Sequence, residues 1–261
     1  MSDTANMAAS GAAFDERDEI AALDARLAAL DPADPPHAAI IADPKGATKG
    51  GMLGIMAGSF DPLTNAHLAL ARAARESGGC DAVYLALSRH TVDKETRVRP
   101  TDAERATLLR QVARREPGLG VLAFNRGLYA DQAVAARALF PDAREIRFVV
   151  GFDKARQIFD PRYYTDRDAA LRQLFAHVGL LVAPRADDGA DALAALLGRP
   201  ENAPFRERIR ALPLDPAWAD DSATRVRAAA KANDTATLAA LVPPETVAFI
   251  AALKAVWASS Q

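Results

Sequence analysis

Two short segments of this chain combine residue types that suit a phosphate chain: GSFDPLTNAH at 58–67 and DDSATRVRAA at 220–229. Gly58 and Ser59 are small enough to let a backbone turn approach a ligand closely. Pro62 stiffens that turn, and Thr64 or Asn65 can cap a helix that follows. His67 then falls in the first helical turn, where free N–H groups and the helix dipole favour an anion. Its imidazole can donate to a phosphate oxygen, more strongly when protonated. In the second segment Ser222 is the N-cap candidate, Thr224 adds a hydroxyl, and Arg227 can reach back over the first turn. Hydroxyls, N–H groups and a guanidinium fork together match the β- and γ-phosphates of a triphosphate. Either segment alone also reads as an ordinary capped helix. Two such segments on one chain are more telling than either. Lys94, in SRHTVDK, is a further candidate phosphate contact, and His90 in the same stretch reads as incidental.

These segments need a scaffold that brings them together. From Met52 onward, short apolar runs alternate with amphipathic patterns. LGIMA (53–57), AVYLAL (82–87), LGVLAF (119–124), IRFVV (146–150) and VGLLVA (178–183) are too short for helices and read as buried parallel strands. Helical patterns lie at 65–77, 101–115, 131–140 and 166–177, and the second opens with Thr101 and Glu104 at capping-box spacing. A last short strand near 209–214 leads into helices at about 222–231, 235–241 and 245–257, where Phe249 and Trp257 read as core. Strand alternating with helix predicts a doubly wound α/β domain with a parallel sheet and a C-terminal helical part over 216–261. Ligands in such a sheet bind outside the C-terminal ends of the strands. The strand-to-helix loops should therefore carry the chemistry.

Residues 1–50 read as an N-terminal extension to a main domain at 51–261. Phe14, Ile20, Leu23, Leu27 and Leu30 recur at helical spacing, three prolines then break the pattern between Asp31 and Pro36, and AAII at 38–41 reads as an extended piece. The helix would pack on the domain or on a second copy, which leaves a homo-oligomer open. Half of the 261 residues are hydrophobic, a quarter are charged, and the net charge is −2, so nothing in the composition points to nucleic acid or to an anionic membrane. No apolar run approaches the roughly 20 residues of a membrane span, and no secretory signal is visible. The single cysteine, Cys80, reads as a small buried hydrophobe. A cytoplasmic setting is the expectation.

GSFDPLTNAHLAL resembles the signature of the nucleotidyltransferase superfamily, whose members carry His/Thr-x-Gly-His after their first strand. Within it the likeness is closest to the nicotinamide- and nicotinate-mononucleotide adenylyltransferases, with their Gly-Ser-Phe-Asn/Asp-Pro-x-Thr/His-x-x-His stretch. Thr64 stands where many members have the first histidine, and Ala66 replaces the usual glycine. The second segment is similar to Ile-Ser-Ser-Thr-x-x-Arg: Ser222, Thr224 and Arg227 match, while Asp221 and Ala223 depart. Gly151 and Asp153 match a Gly-x-Asp element, PTDAERATLL places Arg105 like a family arginine, and LVPPETVAFI resembles the family's ending. The likeness spans about 52–257. FNRGLYADQA (124–133) lacks the family's Trp-Glu pair and offers Asn125, Arg126 or Tyr129 instead. Trp218 could stack on a base, though packing is its simpler role.

The resemblance implies a Rossmann-like nucleotidyltransferase fold and a reaction that joins ATP to a pyridine mononucleotide, either nicotinamide or nicotinate, with release of pyrophosphate. It puts Gly58, Ser59, Phe60, Thr64, His67, Gly151, Asp153, Ser222, Thr224 and Arg227 at the ATP, with Thr64, His67 and Arg227 catalytic. It offers Lys94, Arg105, Asn125 and Tyr129 to the acceptor. Mg²⁺ would be bound mainly through the ATP phosphates, with no dedicated metal site. A phosphopantetheine adenylyltransferase, a cytidylyltransferase or a non-catalytic nucleotide-binding protein are the alternatives.

Overall fold

A computed structural model describes residues 18–46, 50–89, 100–183, 189–218 and 223–259. Its strands are β1 (Ala38–Ala42), β2 (Met52–Ala57), β3 (Ala82–Ser88), β4 (Leu119–Phe124), β5 (Glu145–Gly151), β6 (Gly179–Ala183) and β7 (Ile209–Ala211). They form one sheet in the order β1-β4-β3-β2-β5-β6-β7. All neighbours are parallel except β1, which runs antiparallel to β4. Every residue of β4, and all but the last of β3, is buried. Continuous runs of Ala, Val and Leu therefore suit strands covered on both faces.

A first helix, α1, is described from residue 18 to 28. Then come α2 (Asn65–Glu76), α3 (Asp102–Arg115), α4 (Tyr129–Leu139), α5 (Phe152–Phe159), α6 (Arg167–His177), α7 (Gly189–Gly198), α8 (Ala223–Ala232), α9 (Thr235–Leu241) and α10 (Pro244–Ser259). The Thr101 capping box forms: the Thr101 N–H donates to Glu104 over 2.7 Å and the Glu104 N–H to the Thr101 hydroxyl over 3.2 Å. Elements beyond the helical patterns read from the sequence include α5, α7 and a 3₁₀ stretch, Pro200–Arg208. The last strand is shorter than the pattern at 209–214, and the side chain of Trp257 lies outside the described residues. Among the described residues no helix is long and apolar enough to cross a membrane.

The chain winds outward from β2 through β3 to β4, then returns past β2 to lay down β5, β6 and β7. The winding direction reverses between β2 and β5, and the loops leaving those two strands splay apart to leave a crevice. The loop after β2 is the 58–64 turn, and the loop after β5 opens directly into α5 at Gly151. On the far side of the sheet, the apolar run at 38–41 is part of a true strand. Leu23, Leu27, Leu30 and Ile41 join the same buried cluster as Met56, Val83 and Leu109. Residues before 50 thus cover one edge of the sheet and part of one face.

Candidate active site

Thr64 is the N-cap of α2, in extended backbone with φ −120°. Its side chain and that of His67 close a capping box. The Thr64 N–H donates to His67 Nδ1 over 3.1 Å, and the Thr64 hydroxyl lies 2.7 Å from the same nitrogen. Two donors at Nδ1 assign the proton of the neutral ring to Nε2. Burial lowers the pKa of His67 to about 4, because the charged imidazolium would lose solvation. Such a lowered pKa favours the neutral ring, which can donate through Nε2–H without the added strength that protonation would bring.

The turn before this helix is held from several sides. Phe60 has φ +41°, a left-handed backbone that costs a bulky residue energy. Its ring is 1 % exposed and meets His67 edge-on at 5.2 Å, so only its backbone remains for a ligand. A Cβ at Gly58 would come within 3.1 Å of that ring. Arg105, on α3, donates to the Ser59 carbonyl over 2.6 Å and pairs with Asp102. It is 8 % exposed, so its guanidinium braces the turn rather than facing outward.

The second segment arrives at the same turn. Arg227 donates to the Asp61 carbonyl over 2.8 Å and to the Thr224 hydroxyl over 3.2 Å. Asn65, at the start of α2, donates to the Ala240 carbonyl at the end of α9 over 2.9 Å. Residues more than 160 positions apart in sequence therefore share one end of the sheet. The beginnings of α2 and α8, a neutral imidazole and an exposed guanidinium converge there. That combination attracts a polyanion. Ser222 and Lys94, with His90, lie outside the described residues.

Across the crevice, Gly151 caps α5, and a Cβ built there would meet nothing within 4 Å. Asp153 follows in the first turn and is exposed. Beside them is a cavity of about 80 Å³ lined by Tyr129, Lys154, Gln157, Tyr163 and Tyr164, among others. Tyr129 stacks edge-on against Phe148 of β5 at 5.2 Å. Lys154 donates to Gln157, which donates to the Tyr163 hydroxyl over 2.8 Å. Partial burial holds the Lys154 ammonium below its ordinary pKa. The sequence reading passed over Lys154, Gln157 and the two tyrosines. The signal it had was a lysine directly after Asp153 at a strand-to-helix junction.

A family model described as cytidylyltransferase-like matches residues 55–229, two thirds of the chain. The chain belongs to this family of nucleotidyltransferases. Among curated relatives, a probable nicotinate-nucleotide adenylyltransferase of Laribacter hongkongensis is 34 % identical over 191 residues, covering 67 % of this chain and 82 % of that protein. A protein of the same description from Bordetella pertussis is 30 % identical over 202 residues, covering 76 % and 94 %. The nicotinic acid mononucleotide adenylyltransferase of Plasmodium falciparum, solved in complex with NaAD, shares the fold with a TM-score of 0.57. It is 17 % identical, over 78 % of this chain and 96 % of that one.

The 58–64 turn lies within the matched range, and Thr64 at its end serves as the helix cap. Asn125 has a different environment. It is 1 % exposed. Its amide donates to the carbonyls of Asp31, Asp34 and Pro35 and accepts from the His37 N–H over 2.9 Å. Arg126 likewise donates to Pro32 and Asp34. Both fasten the 31–37 segment, and among the described residues offered to the acceptor only Tyr129 lines the cavity beside α5. Trp218 ends a short 3₁₀ turn and is half-buried.

Proposed function

We propose that this nucleotidyltransferase moves the adenylyl group of ATP onto nicotinate mononucleotide. A phosphate oxygen of the acceptor attacks the α-phosphorus, the bond from that phosphorus to the bridging β-oxygen breaks, and pyrophosphate leaves. The observation that carries this reading is the contact of Arg227 with the Asp61 carbonyl, which joins the two phosphate-type segments at one crevice. His67 Nε2–H, Arg227 and the N–H groups at the starts of α2 and α8 would hold the β- and γ-phosphates. They would also stabilise the charge that grows on the leaving group. Phosphoryl and nucleotidyl transfers need positioning and charge stabilisation more than covalent help. Asp153 and the open space beside Gly151 suit a ribose, whose hydroxyls a carboxylate can accept from.

Mg²⁺ when bound neutralises phosphate charge. Among the described residues there is no group of three or more His, Cys, Asp and Glu arranged for a metal. The residues present fit a cation carried in by the triphosphate oxygens, with the chain holding the phosphates themselves.

The choice of nicotinate rests on the relatives' descriptions and on Lys154. An ammonium beside three tyrosines suits a pyridine ring that bears a carboxylate. The test is a coupled pyrophosphate assay with ATP or CTP and a panel of nicotinate mononucleotide, nicotinamide mononucleotide, phosphopantetheine and glycerol phosphate. Turnover should be confined to ATP with a pyridine mononucleotide, with the nicotinate form preferred. Lys154→Gln should lower kcat/KM for nicotinate mononucleotide about tenfold or more, the worth of one charge-assisted bond, and leave the nicotinamide form nearly unchanged. Equal losses for both, or turnover of another acceptor, would refute the assignment.

A further inference from the structure

The 61–62 turn, α8 and α10 enclose a second cleft, of about 490 Å³. That size lies within the range of roughly 300–1,000 Å³ usual for small-molecule pockets. Its apolar walls include Pro62, Pro100, Val226, Phe249, Ile250 and Leu253. The cleft follows a seam between two packing units. Phe249 packs against the large cluster on one face of the sheet, whereas Val226 and Ile250 belong to a separate cluster built by the C-terminal helices. Each unit packs toward its own centre, and among the described residues apolar surface between them is left uncovered. Phe249, Ile250 and Leu253 are accordingly only half-buried.

Two cations stand at the rim. Arg227 and Lys231 both line the cleft, four residues apart on α8 and hence neighbours on its surface. Arg227 spends its donors on a carbonyl and a hydroxyl, and Lys231 is exposed. Neither has a carboxylate partner among the described residues. Asp61 and Asn233 also line the cleft and have contacts of their own.

We propose that this cleft binds an amphipathic organic anion, with its apolar body against Phe249, Ile250 and Leu253 and its acidic group against Lys231 and Arg227. A neutral apolar molecule would desolvate the two cations without pairing them, and a cation would be repelled. The proposal extends the reading in which Arg227 grips the triphosphate. Because occupant and ATP draw on one guanidinium, each weakens the other, and the coupling is reciprocal. The cleft then acts as an inhibitory site that senses acidic amphiphiles.

The test uses the full chain and 8-anilinonaphthalene-1-sulfonate, followed by fluorescence. Saturable binding at one site per chain is expected, with displacement by octanoate and not by octanol. Lys231→Glu should weaken the probe about tenfold, because it turns an attraction at the rim into a repulsion. It should leave the melting temperature unchanged. No saturable binding, octanol displacing as well as octanoate, or a Lys231→Glu variant that binds like the wild type would each overturn the proposal. ATP should weaken the probe in the wild type, and an unchanged affinity would overturn the antagonism. A chain that binds the probe through Lys231 yet turns over no acceptor would sink the adenylyltransferase reading alone.

Discussion

Replacing His67 with alanine separates the two jobs of this side chain. One is structural: Nδ1 accepts from the N–H of Thr64, a residue with no exposed surface. Losing that acceptor leaves a buried donor unpartnered and should cost about 1–2 kcal/mol. Thr64 still caps α2 in the variant, so the helix and the fold persist. The other job is chemical. In the proposed reaction Nε2–H is a preorganised donor to the leaving pyrophosphate, and removing one such donor should lower kcat by about 10²- to 10³-fold. A coupled pyrophosphate assay with ATP and nicotinate mononucleotide reads the second loss, and thermal denaturation reads the first. His67→Asn, which keeps a donor and an acceptor at nearby positions, should recover part of both. A variant that melts like the wild type and keeps full turnover would refute the role of His67.

The pKa of about 4 extends this prediction to pH. A free-enzyme pKa near 4 means that His67 adds no inflection to kcat/KM near 6.5, so any inflection there from the substrates' own phosphates should be the same in His67→Ala. An inflection near 6.5 that disappears in His67→Ala would show a charged imidazole at work and contradict the structure. Stability follows the same proton. The folded value lies below the 6.5 of the unfolded chain, so between the two the unfolded state binds the proton first. The contribution of His67 is whole above pH 6.5 and is lost as pH falls toward 4. Its full size is at most roughly 3 to 4 kcal/mol. The stability difference between wild type and His67→Ala should change across that window, as read by urea titrations at pH 7 and pH 4.5.

Two further substitutions test the frame around the site. Arg227→Ala should raise the KM for ATP at least tenfold and leave that for the acceptor within about twofold, since a charged fork gripping phosphate is lost. Arg227→Lys should recover only part of the affinity, and equal losses for both substrates would argue against the assignment. Asn125→Ala leaves three carbonyls and the His37 N–H short of a partner. It should cost about 3 kcal/mol, or roughly 6–12 °C in Tm, with KM for both substrates unchanged at low temperature. A raised acceptor KM at unchanged Tm would instead restore Asn125 to the acceptor pocket.

Much of this molecule is legible along the chain because its information is local. Five of the strands are apolar runs that no amphipathic helix could supply, and the caps at Thr64 and Thr101 depend on residues three positions away. The spacing of GSFDPLTNAH alone is enough to predict a helix that starts at an anion-attracting turn. Other features were decided only when distant segments met. The resemblance offers Asn125 and Arg105 to the acceptor, and only the folded chain closes the carbonyls of 31–35 around the first and brings the second to Ser59. The charge state of His67 could not be read from its neighbours in sequence, because the ring loses water to Phe60 and to the packing around it. The cavity at Lys154 needs the start of α4 brought to α5, although the strands before them, β4 and β5, are separated in the sheet by β3 and β2. Residue type and short-range spacing set what each segment can do. Desolvation and long-range pairing, which arise only in the folded chain, decided which of those capacities remain available to a ligand.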